Sequence, residues 1–123
     1  MNVKIIEHII QIVKNITTFC DKVIDSADAE NYAKGVKALG QNVDETYAKM
    51  RELIDQDNSL SISEKLEKLE RLAESQQAAR QSCEEAIKEN REHIAKVVTE
   101  VFIALATCGI SYIPKVVKEY KKD

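Results

Sequence analysis

The chain has 123 residues, enough for one hydrophobic core and too few for two independent ones. Apolar residues make up 44% and charged residues 32%, with only 3 Gly and 1 Pro, so the turn punctuation of an all-β or α/β chain is missing and an all-α fold is expected. A formal net charge of -3, with acidic and basic side chains interleaved along most of the chain, leaves no cationic footprint for a phosphate backbone and argues against nucleic acid as a partner.

The first helix is read over residues 3–24. Its apolar side chains form two interleaved rows: Ile5, Ile9, Ile12, Ile16, Phe19 and Val23, and one residue later Ile6, Ile10, Val13, Thr17, Cys20 and Ile24. A helix with two adjacent rows must touch at least two neighbours. The stretch MNVKIIEHIIQIVKN is apolar, but Glu7, His8 and Lys14 interrupt it and no small-residue cleavage site follows, which argues against a secretory signal.

Asp25, Ser26, Ala27 and Asp28 end that pattern and offer N-caps for a second helix over residues 28–56. Here Tyr32, Val36, Leu39, Val43, Tyr47, Met50 and Ile54 form a single row, sufficient for one main partner. Gly35 and Gly40 each weaken this helix by about 1 kcal/mol relative to Ala, and Gly40 followed by Asn42 and Glu45 offers an alternative break. The segment DQDNSLSISE, residues 55–64, is the clearest turn. Within it Ser61 and Glu64 have the spacing of a capping box, so a third helix starts near Ile62.

From Ile62 to Cys108 no Gly or Pro intervenes, and Leu66, Leu69, Ala73, Gln76, Arg80, Cys83, Ile87, Asn90, Ile94, Val97, Val101, Ala104 and Cys108 keep the 3,4 alternation of a heptad seam. The expectation is one helix over 62–108, about 70 Å long. Before Asn90 the seam is a single row with Gln76 and Arg80 as polar occupants; after it a second row appears in Val98, Phe102 and Leu105. Asn90, at the junction, is assigned the fixing of register and partner number. Gly109 reads as a C-cap, and Pro114 opens a short lysine-rich helix over 114–121.

These rows favour an elongated antiparallel helical hairpin, a coiled coil with a helical-bundle base, over the alternative of a compact three- or four-helix bundle. In that elongated layout the first helix continues in line and lies beside residues 91–108, and the apolar rows outnumber the surfaces one chain has to cover them. A homodimer is therefore expected, joined through Ile5, Ile9, Ile12, Ile16, Phe19, Val98, Phe102 and Leu105, that is, through the first helix and segment 94–113. The rival reading is a peripheral membrane or membrane-active protein. A helix over the uncharged residues 101–113 is about 20 Å long, short of a hydrocarbon core of about 30 Å, so insertion into one leaflet is the form this reading takes. A small inhibitor or immunity-type binding protein is a third reading without a motif of its own.

Catalytic signals are absent from the pattern. His8 and His93 lie outside any metal motif; Glu89 and His93 are one helical turn apart but lack facing carboxylates. Asp55, Asp57, Ser59, Ser61 and Ser63 fall at the odd positions of a calcium loop, yet Leu60 and Leu66 stand where Gly and a bidentate Glu are required. No phosphate loop, nucleophile elbow or CxxC occurs. Cys20, Cys83 and Cys108, odd in number and far apart, read as free thiols of a reducing, cytoplasmic compartment. The function expected is a non-enzymatic helical assembly module, without cofactor or metal, that dimerises and offers its charged stalk to a protein partner.

Overall fold

A computed structural model describes residues 3–25, 28–88 and 91–110, with the backbone alone for Asp21 and Ile24. The fold is all-α: the described residues form α1 (Val3–Ile24), α2 (Ala29–Asp55), α3 (Ile62–Ile87) and α4 (Glu92–Thr107), with no strand among them. Asp28 caps α2, its carboxylate accepting the Glu30 N–H at 2.8 Å. Ser61 caps α3: its hydroxyl accepts the Glu64 N–H at 3.1 Å, and the Glu64 carboxylate accepts the Ser61 N–H at 3.2 Å.

Successive helices are antiparallel. His8 of α1 faces Glu45 of α2, and Val23 lies against Gly35. Along the next seam Tyr32 and Tyr47 of α2 meet Ala86 and Ser75 of α3, and along the third Lys68 and Ser75 of α3 meet Thr107 and Glu100 of α4. Because α4 also touches α1 and α2, the helices close into a bundle around a shared core.

Two expectations give way here. The single helix over 62–108 is two helices, α3 ending at Ile87 and α4 beginning at Glu92. The chain also turns back between α1 and α2 instead of continuing in line, so the described residues form the compact bundle and not the elongated hairpin. Asn90, to which register was assigned, lies outside the described residues, as do Glu89, residues 111–113 and the expected helix over 114–121.

The energetics favour the fold-back. Interrupting a helix forgoes at most four backbone hydrogen bonds, each with a net value of about 1 kcal/mol. Folding α4 back buries Ile94, Val97, Val98, Val101 and Leu105 within the same chain, at about 1.5–3 kcal/mol for each fully buried branched side chain. Both rows of α1 gain by it as well: Ile5, Ile9, Ile12, Ile16 and Val23 are buried, and so are Val13, Thr17 and Cys20 from the adjoining row.

Each helix C-terminus receives a side-chain donor from another part of the chain, which satisfies carbonyls that a helix leaves orphaned. Arg91 donates to the Val23 carbonyl at 3.1 Å, Lys65 to Asp55 at 2.9 Å, the Tyr32 hydroxyl to Ala86 at 2.6 Å and Lys68 to Thr107 at 3.0 Å. Beyond α4 the backbone makes a Schellman turn. Gly109 has φ 80, its N–H donates to Ala106 at 3.0 Å, and the Ile110 N–H donates to Leu105 at 2.9 Å, which turns Ile110 back into the core.

The two glycines of α2 are not equivalent. A Cβ on Gly35 would stand 2.6 Å from Cγ2 of the buried, β-branched Val23, whereas at Gly40 nothing lies within 4 Å. Gly40→Ala should therefore raise the unfolding free energy by about 0.5–1 kcal/mol, the helix-propensity gain alone. Gly35→Ala should lower it by about 1 kcal/mol, because overpacking at about 1–3 kcal/mol exceeds that gain. Urea denaturation of the two variants reads the difference in sign, and adding Val23→Ala to Gly35→Ala should recover part of the loss.

Candidate functional site

Several polar side chains lie inside the bundle. Tyr47 is buried, and its hydroxyl lies 2.6 Å from Ser75 Oγ. Ser75 Oγ in turn is 3.1 Å from both the backbone carbonyl and a carboxylate oxygen of Glu100. This ladder crosses from α2 through α3 to α4. Burial holds the Tyr47 phenol well above its usual range, with the Ser75 hydrogen bond opposing the shift and Glu100 adding to it. A phenol in that state stays protonated and serves as a hydrogen-bond partner, not as a base.

A second network lies toward the surface between α2 and α3. Asp44 accepts from Arg80 at 2.9 Å and from Gln76 at 3.1 Å, and Gln76 accepts from Arg51 at 2.7 Å. Gln76 is buried with both ends of its amide engaged, so this seam position is a satisfied polar contact that orients α2 on α3. No buried side-chain nitrogen or oxygen among the described residues lacks a hydrogen-bond partner.

Cys20, Cys83 and Cys108 are buried and form no disulfide. Burial raises the Cys83 thiol to about 11, with Asp44 and Glu84 adding to the effect, so desolvation leads and the negative neighbours come second. Burial also raises Cys108 to about 11, Lys68 opposing. Among the described residues no group of three or more His, Cys, Asp or Glu could hold a metal ion, and His8 stands 3.8 Å from Glu45 as a surface pair. In the α2–α3 turn, Ser59 donates its N–H and its hydroxyl to Asp57, and hydrogen bonds lower the carboxyl groups of both Asp57 and Glu64.

Of the residues expected at a dimer interface, Ile5, Ile9, Ile12, Ile16, Val98 and Leu105 are buried in the protomer's own core, and Phe19 and Phe102 are half-buried against it. The apolar surface left open is a neighbouring set. On the outer side of the α1–α4 seam, helical spacing places Val3, Ile6 and Ile10 of α1 beside Ala95, Thr99, Phe102 and Ala106 of α4. Val3 is 64% exposed, Ala106 is exposed, and the others are half-buried; Ile103, 51% exposed, lies further round α4 beside Arg71, Glu74 and Ala78 of α3. No charged residue interrupts this strip; Glu7 and Lys14 border it on α1, and Glu92 and Lys96 on α4. Sequence reasoning placed Phe102 at the interface and Ile6 and Ile10 in the second apolar row of α1, and missed Val3, Ala95, Thr99 and Ala106, which fall outside the apolar rows. Among the described residues no helix is long and apolar enough to cross a membrane.

No protein-family model, curated protein or solved structure matches the chain.

Two measurements follow from the buried groups. Ser75→Ala should cost about 1–3 kcal/mol by leaving the Tyr47 hydroxyl buried without its partner, whereas Tyr47→Phe should cost only about 1 kcal/mol because Glu100 still accepts from Ser75. Thermal or urea unfolding of the two variants tests that order. For pH, the native thiols keep their protons where the unfolded ones lose them, so their contribution is complete below the ordinary value of 9.0 and is lost as pH rises toward about 11. The urea midpoint should fall across that window, and the fall should be shallower in the Cys83→Ala/Cys108→Ala double variant.

Proposed function

We propose that this protein is a non-enzymatic helical interaction module that pairs with a second copy of itself through the outer face of the α1–α4 seam. The observation that carries the reading is the uncharged strip of Val3, Ile6, Ile10, Phe102 and Ala106, which the chain's own helices leave partly open. Its rim holds two acidic and two basic residues, Glu7 and Glu92 with Lys14 and Lys96, so two copies meeting across a twofold axis bring opposite charges together without net repulsion. A uniformly charged rim would oppose such pairing.

The absence of chemistry in the reading is supported by the pairing of the buried polar atoms and by thiols held too high to act as nucleophiles near neutral pH. Three buried cysteines without a disulfide fit a reducing, cytoplasmic compartment, which belongs to the same proposal.

Sedimentation velocity at micromolar concentration, without detergent, tests it. The parent should sediment as a dimer, and Ala106→Lys or Ile10→Lys should convert it to a folded monomer with unchanged helicity. A parent that stays monomeric rejects the reading. If that monomer also floats with anionic liposomes, and Ile10→Asp abolishes flotation, the strip serves a lipid surface instead.

A further inference from the structure

The reversal between α3 and α4 is made without any residue that forbids a helix. Lys88, Glu89, Asn90 and Arg91 link the two, with neither Gly nor Pro among them. Lys88 departs from helical dihedrals in ψ alone (φ -78, ψ 21), Arg91 keeps helical values (φ -61, ψ -22), and α4 starts with no side-chain cap. A reversal with so few local determinants is held by the packing of α4 on the core, and a second copy of the chain offers the same packing.

The buried faces on either side also belong to one helix face. Ala79 and Cys83 of α3 and Ile94, Val97 and Val101 of α4 are buried, and the steps from one to the next, through positions 87 and 90, are all of three or four residues. Joined end to end, α3 and α4 present one continuous seam. Register then decides what lies at the centre of an exchange. Within the chain Lys68 stands opposite Thr107 and Ser75 opposite Glu100, pairs whose common midpoint falls between Ile87 and Lys88. If the same pairs form between two chains, the twofold axis passes through that midpoint and brings the two copies of Ile87 together. In the folded-back chain Ile87 is 40% exposed, a seam residue that the protomer leaves open.

We propose that the chain has a second, domain-swapped state, in which α3 and α4 run on as one helix and each α4 docks onto the α1–α2–α3 core of another copy. The contacts of α4 with the core are re-formed between chains, helical hydrogen bonds replace the turn, and each Ile87 is covered by its twin. Joining two chains into one particle costs translational and rotational freedom, so concentration favours the swapped state. The α1–α4 strip reappears on each half with its α4 side supplied by the other copy. The inference therefore goes beyond the self-association reading and does not depend on it.

Refolding of the full chain at two concentrations tests the proposal, with Ile10→Lys as the background that removes pairing through the strip. An equal mixture of isotopically labelled and unlabelled chains is unfolded in urea and refolded at about 10 µM and at about 1 mM. The concentrated sample should yield a dimer separable by size exclusion, in which nuclear Overhauser contacts between Ser75 and Glu100 cross from labelled to unlabelled chains. Ile87→Lys, which sets like charges on the twofold axis, should lower the dimer-to-monomer ratio at least about tenfold. Lys88→Gly, which penalises the continuous helix, should lower it at least about fivefold. Both positions are exposed in the folded-back chain, so the monomer's helicity should not change. A chain that stays monomeric at the higher concentration, a dimer whose Ser75–Glu100 contacts remain within one chain, or a ratio indifferent to Ile87→Lys overturns the proposal. None of these outcomes bears on the strip, which sedimentation of the parent reads separately.

Discussion

The bundle depends on one junction, where parts of all its helices meet. The Arg91 guanidinium lies 4.4 Å from the centroid of the Tyr32 ring and donates to the Val23 carbonyl at the end of α1. The Tyr32 hydroxyl donates to Ala86 in the last turn of α3. A single tyrosine on α2 thus ties down the end of α3, and the arginine stacked on it ties down the end of α1 just before α4 begins. Each of these contacts satisfies a carbonyl that helix geometry leaves without a partner, and the cation is placed where the negative end of a helix dipole favours it. The close approach of Val23 to Gly35 extends the junction along the first seam. A bulkier residue at that point would separate α1 from α2 in the region where Arg91 must reach.

What the reversal at this junction decides is the allocation of apolar surface. With α4 folded back beside α1, the rows of both helices are buried within the chain, and the surface left over is the thinner strip of residues one position further round each helix. On the opposite flank Ile62 and Leu66, in the first turns of α3, are exposed as well.

The interior polar groups serve specificity. The Tyr47–Ser75–Glu100 ladder requires α2, α3 and α4 to be in one register, since a slip of one residue on any of them leaves a buried hydroxyl without a partner, at a cost of about 1–3 kcal/mol. Gln76 does the same nearer the surface by spanning Asp44 and Arg51. A core of aliphatic rows by itself tolerates such slips more readily, and the polar contacts are what distinguish one alignment from its neighbours.

Much of this was legible in the residues. Two apolar rows on α1, a single row on α2, the Ser61–Glu64 capping box and the Gly109 turn are local patterns, and local patterns determine where helices start, which faces they bury and where they stop. Composition alone was enough for the all-α class. The break between α3 and α4 was not legible, because it carries no Gly, no Pro and no side-chain N-cap; Arg91 has φ -61 and ψ -22, ordinary helical values, and makes no capping bond. The heptad alternation runs straight through it, since residues that face one core on either side of a reversal keep the same periodicity as residues of a continuous helix. Only the tertiary structure, through contacts between Arg91, Tyr32 and Val23 that are far apart along the chain, decided that the helix folds back. That decision turned the expected interface rows into core and left their neighbours as the open surface.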